Sequence, residues 1–365
     1  MQKKVSSNNY KPGLDIDYVK KKFRLKNVIK LASNENPVGP SPKARIIYRK
    51  EINNINRYPD GKCTKLKEQL TKNIGKRYIR SENIIIGNGS SEILELIART
   101  YLNSKSEVIF SKHSFIVYQL ISNSLNAKIV ESNLITSEDN DFMVSDLDDM
   151  YRKISKKTKL IFIANPANPT GALIKSKKLD NFLKKIPKTI KVVIDEAYFE
   201  YACHRNHTTA LNYINKYDNV LITRSFSKIY ALAGVRIGYG LANQNIINEL
   251  NEKRQPFNVN QVAQSMAIES LKDKNFLRKS LIDYEKNRLY LFQELDKLNL
   301  KYINSYANFI TINFGSKTKK IFESLLSSGV ILRPLENYGM NGYLRMTIGT
   351  TNECNKFIKC LKMII

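Results

Sequence analysis

Five short apolar runs punctuate the middle of the chain: Ile84 to Ile86, Val108 to Phe110, Leu160 to Ile163, Val192 to Ile194 and Val220 to Thr223. Each meets glycine or polar residues at or just past its C-terminal end. Continuous apolar runs of this length suit strands covered on both faces, as in a mostly parallel sheet between helices. Helical patterns lie between them. Glu92 to Leu102, for example, places Ile93, Leu94, Ile97, Ala98 and Tyr101 on one face. The alternation predicts an α/β fold.

Past residue 260 the pattern changes. Gln261 to Leu271 and Leu277 to Leu298 read as helices, the second long and charged. Phe309 to Phe314 and Tyr343 to Ile348 read as strands, with a helix near Lys319 to Ser328 between them. This predicts a smaller α+β domain joined by a long helix. The first forty or so residues, with Pro12, Pro37, Pro40 and Pro42, read as largely extended. The expected division is an N-terminal arm over 1–44 packing with the small domain, a large domain over 45–275 and a small domain over 276–365. A length of 365 residues is enough for two domains and a large core.

The formal net charge is +27, a field that could attract nucleic acid or anionic metabolites. The Lys and Arg residues are spread along the whole chain, however, and the short clusters lack interleaved aromatics. This argues against a nucleic-acid partner and for a mostly solvated basic surface. No apolar run approaches the roughly 18 residues that would span a bilayer. The opening Met1-Gln2-Lys3-Lys4-Val5-Ser6 leads into polar sequence, so a soluble cytoplasmic protein with no membrane partner is expected. Cys63, Cys203, Cys354 and Cys360 lack CxxC spacing, so neither a metal site nor a disulfide framework is expected.

Ligands of open α/β sheets bind beyond the C-terminal ends of the strands, and four groups of chemically capable residues fall there. Gly87-Asn88-Gly89-Ser90-Ser91-Glu92 follows the first run and opens a helix, whose free N–H groups and dipole favour an anion. Asn165-Pro166-Ala167-Asn168-Pro169-Thr170-Gly171 follows the third, a rigid loop with an asparagine amide that can donate to a phenolate oxygen. Asp195-Glu196-Ala197-Tyr198 follows the fourth. A buried carboxylate there requires a cationic partner, such as a protonated pyridine nitrogen, while Tyr198 can join Asn168 at the phenolate. Ser225-Phe226-Ser227-Lys228 follows the fifth, with Arg236 a few residues on. Ser225, Ser227 and Arg236 would grip a phosphate, the arginine through a bidentate fork, and Lys228 would take the aldehyde. Together these are the requirements of a pyridoxal 5'-phosphate site, in which a lysine holds the cofactor and the protein tunes its ring.

With Lys30-Leu31-Ala32-Ser33-Asn34-Glu35-Asn36-Pro37, Arg57-Tyr58-Pro59-Asp60-Gly61, Arg254-Gln255-Pro256-Phe257-Asn258-Val259-Asn260 and Leu344-Arg345-Met346-Thr347-Ile348-Gly349-Thr350, the chain resembles the fold type I, aspartate-aminotransferase-like enzymes nearly end to end. Within that group it most resembles the histidinol-phosphate aminotransferases. The resemblance implies Lys228 as the Schiff-base lysine, Asp195 as the pyridine partner, and Asn168 and Tyr198 as phenolate partners. It implies a phosphate cup of Ser90, Ser91, Ser225, Ser227 and Arg236. Tyr58 is similar to a tyrosine that reaches the cofactor phosphate of the neighbouring subunit, which implies a homodimer. Arg345 resembles the arginine for the substrate α-carboxylate and Arg333 the one for the substrate's own phosphate, with Asn36 nearby. The chain departs from the family in Ser111-Lys112-His113-Ser114-Phe115-Ile116-Val117-Tyr118, where Phe115 is the expected stacking ring and His113 and Tyr118 are alternatives, and at Ala167, where an asparagine is common. The implied activity is amino transfer between L-histidinol phosphate/imidazole-acetol phosphate and glutamate/2-oxoglutarate in histidine biosynthesis. An aromatic amino acid aminotransferase or a threonine-phosphate decarboxylase on the same scaffold is the alternative.

Overall fold

The computed structural model describes residues 13–137 and 142–365. A two-residue strand, β1 (Ile29–Lys30), lies in the N-terminal arm. The central sheet contains β2 (Ile84–Gly87), β3 (Glu107–Ser111), β4 (Lys128–Ser132), β5 (Thr158–Ala164), β6 (Lys191–Asp195), β7 (Val220–Ser225) and β8 (Gly238–Leu241). Their spatial order is β2-β8-β7-β6-β5-β3-β4. The run from β7 to β4 is parallel. β8 is antiparallel to both β7 and β2, so β2 points the same way as the parallel strands. The carboxyl ends of β2, β3, β5, β6 and β7 therefore open on one edge, at which the candidate residues gather.

The strands form because both their faces are apolar. Ile84, Ile86, Ile161, Ile163, Val192, Ile194 and Ile222 point into one buried cluster. Their neighbours Ile85, Leu160, Phe162, Val193 and Leu221 point into another. Alternation at period two thus feeds two cores, and the run between them has no solvent face. All five expected strands and the helices over Gly89–Tyr101, Gln261–Lys272 and Lys274–Lys297 form.

The smaller unit carries an antiparallel sheet of β9 (Phe309–Asn313), β11 (Arg333–Pro334) and β12 (Tyr343–Thr347), in the order β11-β12-β9, while β10 (Val330–Ile331) pairs with β1. Its core of Leu291, Leu295, Ile310, Leu325, Leu344 and Phe357 also draws in Leu31, Tyr198 and Ile229. We propose the three-part division at 44 and 275 on this basis; β1 ties the described part of the arm to the small unit. Residues 1–12 of that arm lie outside the described residues. No helix among the described residues is long and apolar enough to cross a membrane.

The structure departs from the sequence expectation in the arm and in several strands. The described part of the arm is not extended throughout: Ile16–Phe23 is a helix, capped by the Asp15 carboxylate accepting from the N–H groups of Asp17 (2.8 Å) and Tyr18 (3.2 Å). The sequence pattern predicts neither β4 nor β8, nor the two-residue strands β1, β10 and β11. β4 is an edge strand of mixed polarity. β8 is half glycine, because the helix Gly89–Tyr101 packs against its backbone. A Cβ on Gly238 would lie 2.4 Å from the Ser90 nitrogen.

The ends of β6 and β7 are clamped by a buried ion pair. Arg224 Nε and Nη2 both donate to Glu196 Oε2, at 2.9 and 2.7 Å. The Thr209 hydroxyl and the Ala210 N–H also donate to this carboxylate. Removing one partner strands a buried charge. Arg224→Ala is expected to cost about 3–5 kcal/mol, read as a lowered urea midpoint; an unchanged midpoint would contradict the clamp.

Candidate active site

One cavity of about 610 Å³ opens at this sheet edge. Its wall includes Ser90, Ser91, Phe115, Asn168, Asp195, Tyr198, Ser225, Ser227, Lys228, Arg236, Arg333 and Arg345. Every sequence-predicted site residue is thus brought together except Asn36 and Tyr58.

The floor is acidic. Asp195 ends β6 with its carboxylate buried. It accepts from the Tyr118 hydroxyl at 2.9 Å and from the Ala197 N–H at 3.2 Å. Burial raises its pKa above the ordinary carboxylate value, against the lowering effect of the Tyr118 hydrogen bond and the Lys228 charge. A buried carboxylate of this kind suits a cationic ring nitrogen. Tyr118 is therefore not the stacking ring: it supports Asp195 and stacks on Phe162 at 4.7 Å. The ring of His113 is not offered to the cavity either, its Nδ1 meeting the Tyr338 carbonyl. Phe115 is the aromatic of that segment on the wall.

Opposite lies an anion cup. Ser90 and Ser91 sit in the first turn of the helix Gly89–Tyr101. Arg236 Nη1 donates to the Ala233 carbonyl at 3.0 Å and lies 3.5 Å from Ser227 Oγ. Ser225 Oγ accepts from the Ser227 N–H at 3.0 Å. Gly89 has φ +77°, and a Cβ there would come 2.6 Å from Arg236 Nη2. The backbone there favours glycine, and a Cβ would push the Arg236 guanidinium out of the cup.

The turn Gly87-Asn88 is held from outside by the Arg254–Asn260 segment. Asn258 Nδ2 donates to Glu92 Oε2 at 2.8 Å, and Arg254 Nη1 donates to Asn258 Oδ1 at 2.8 Å. Tyr58, 85% exposed, stacks on Phe257 at 5.0 Å and lines no part of its own chain's cavity.

Lys228 lies between floor and cup, its Nζ 5.5 Å from the centroid of the Tyr198 ring. Burial pushes its amine down to about 8, and the charges of Arg345 and Arg236 act the same way, against Glu35 and Asp195. The Tyr198 hydroxyl accepts from Asn34 Nδ2 at 2.9 Å, which leaves its own proton for another acceptor. Asn168 Oδ1 accepts from Arg345 Nη1 at 2.5 Å, so its Nδ2 is the donating end. Arg333 and Arg345 are register partners across β11 and β12 and share the wall.

The fit to pyridoxal phosphate is chemical: hydroxyls, guanidinium and helix-start N–H groups for the phosphate, a buried carboxylate for the ring nitrogen, two donors for the phenolate, and an amine for the aldehyde. Gly89→Ala should displace Arg236 and weaken cofactor retention. Dialysis followed by the absorbance of the protein-bound cofactor checks this; full retention would show that the cradle tolerates a Cβ.

Asn36 is not in this cavity. Its Nδ2 donates to the Ile229 carbonyl at 2.7 Å and its Oδ1 accepts from the Val38 N–H. Asn34 and Glu35 line the cavity instead. Neighbouring polar residues in one motif gave no sequence signal as to which would face inward. Tyr338 also lines the cavity and hydrogen-bonds Arg345, a role not read from the sequence.

Comparison with known proteins agrees with this chemistry. Residues 26–361 match the family described as aminotransferase class I and II. A histidinol-phosphate aminotransferase of Moorella thermoacetica is 40% identical over 99% of this chain and 92% of its own. One of Caldicellulosiruptor saccharolyticus is 36% identical over 98% and 97%. The crystal structure of the histidinol-phosphate aminotransferase of Clostridium acetobutylicum, 28% identical, superposes with a TM-score of 0.84 over 92% of this chain and 99% of that one. That of Sinorhizobium meliloti, in complex with pyridoxal-5'-phosphate, shares the fold at 22% identity, with a TM-score of 0.85 over 100% and 99%. The chain belongs to the class I and II aminotransferases and has the fold type I architecture of that family.

Proposed function

We propose that this chain is a histidinol-phosphate:2-oxoglutarate aminotransferase of histidine biosynthesis, working with pyridoxal phosphate. The observation that carries this reading is the pairing of Arg333 and Arg345 across β11 and β12 on the wall that holds Lys228. Glutamate brings carboxylates to this wall and histidinol phosphate brings a phosphate. The guanidinium fork matches both anions, so one cavity serves both halves of the exchange.

Pyridoxal phosphate, when bound, supplies an aldehyde that takes the amino group and a ring that draws off the electron pair left at the substrate carbon. The chain's residues do the rest. Lys228 Nζ, with its amine near 8, takes the proton from the substrate Cα and returns one on the opposite leg. Asp195 keeps a positive ring nitrogen protonated. Tyr198 and Asn168 donate to the phenolate oxygen. Arg345 receives the glutamate α-carboxylate and Arg333 the substrate phosphate.

The reading includes a cytoplasmic homodimer, with Tyr58 acting in the partner's cavity. Ile46, Tyr48, Ile52, Ile55, Tyr58 and Phe257 are exposed, a set of large apolar side chains that suits contact with a second copy.

Steady-state kinetics with 2-oxoglutarate and, in turn, histidinol phosphate, phenylalanine and aspartate test the assignment; preference for phenylalanine would overturn it. Arg333→Ala should impair histidinol phosphate more than phenylalanine, and equal losses would remove its assigned role. The neutral amine is the reactive form, and a lowered pKa makes it available at lower pH. Capture of pyridoxal phosphate by the cofactor-free protein should therefore rise with pH and level off above about 8. A rate that keeps climbing up to the range of an ordinary lysine, near ~10.4, would contradict this. Mixing inactive Lys228→Ala with impaired Tyr58→Ala should recover activity, because a mixed dimer holds one site with both residues. No recovery would place Tyr58 outside the site.

A further inference from the structure

The Asn34-Glu35-Asn36 segment carries more than its family resemblance accounts for. Both asparagines are consumed as clamps. Asn34, at φ +55°, receives a hydrogen bond at its carbonyl from Asn308 Nδ2 (3.0 Å), donates its N–H to Thr347 Oγ1 (2.9 Å) and holds the Tyr198 hydroxyl. Asn36 is tied to the carbonyl of Ile229, the residue after Lys228. Glu35 is held between them, at the cavity mouth.

The wall contains two acidic side chains, Asp195 and Glu35, against Lys228, Arg236, Arg333 and Arg345. Asp195 is committed to the floor. Among the described residues the Glu35 carboxylate has no hydrogen bond or ion pair of its own. Its charge is nonetheless felt at the Lys228 amine, more strongly than that of Asp195.

We propose that Glu35 selects the substrate ring, its carboxylate accepting the imidazole N–H of the phosphorylated amine. This rests on the function proposed above. The amine-bearing carbon of that substrate carries two arms, one ending in phosphate and one in imidazole. The phosphate arm goes to the arginines, so the ring arm takes the remaining wall. A carboxylate there accepts from the neutral ring and attracts the protonated one, whose pKa is about 6.5. It also turns away a second carboxylate, which steers the side chain of glutamate to the arginines. A site that hydrogen-bonds a polar group on its substrate discriminates against the analogue that lacks it.

The test compares histidinol phosphate with 2-amino-3-phenylpropyl phosphate, which keeps the amine and phosphate but has no ring N–H. In the full-length holoenzyme, Glu35→Gln should raise KM for histidinol phosphate by at least ~10-fold. KM for the phenyl compound should stay level or fall, and the absorption spectrum of the bound cofactor should be kept. Glu35→Asp should recover part of the loss. In the wild type, preference for histidinol phosphate should grow as pH falls through the imidazole range, and Glu35→Gln should flatten that slope. Equal changes in KM for both phosphates, no change for either, or loss of the cofactor spectrum would overturn the assignment. Failure of the wild type to use histidinol phosphate at all would instead overturn the function on which it rests.

Discussion

Asp195 places a carboxylate at the carboxyl end of β6, under the cavity floor and away from water. Burying such a charge is unfavourable unless donors and a cation surround it. Its neighbourhood follows from that requirement. Tyr118 reaches in from the helix Ile116–Ser124 to donate to one oxygen, and the Ala197 N–H serves the other. Glu196 and Arg224 clamp the adjoining strand ends, so the floor does not relax toward solvent. Burial still leaves the Asp195 pKa raised. The protein's own groups only partly stabilise the anion, and a ring cation bound there would complete the set.

The opposite wall has the complementary problem. Arg236, Arg333, Arg345 and Lys228 share one cavity. Their mutual repulsion favours anions and disfavours the proton on the lysine. Burial first, and then the charges of Arg345 and Arg236, bring the amine to about 8, where an ordinary lysine would be almost wholly protonated. In the function proposed here, the same cations that lower the proton affinity of the amine would also hold the phosphate and carboxylates of its substrates. Glu35, on the same wall, acts against this field at the Lys228 amine.

The five strands with two apolar faces are legible in the sequence, and Ile84, Ile85 and Ile86 need no partner to announce that. β8 is not: two of its four residues are glycine, and only the helix lying across them explains the missing side chains. The helix Ile16–Phe23 carried its signal in Asp15 and the spacing of Ile16, Val19 and Phe23, but the prolines around it suggested extended chain. Tyr118 and Phe115 are three residues apart in one segment, and nothing local separates a ring that lines the cavity from one that supports a buried acid.

Sequence by itself determined the fold class, the cofactor chemistry and the group of residues that meet at the sheet edge. Strand burial and motif order express these locally. Tertiary structure alone decided which member of each polar cluster faces inward. Asn34 rather than Asn36 holds Tyr198, because a left-handed backbone at residue 34 turns the segment and the carbonyl of Ile229 takes the second amide. Side-chain direction depends on partners hundreds of residues away, and those exist only once the small unit has packed against the large one. The lowered proton affinity of Lys228 is of the same kind: it comes from burial and from arginines on separate strands and loops, which only the folded chain brings together.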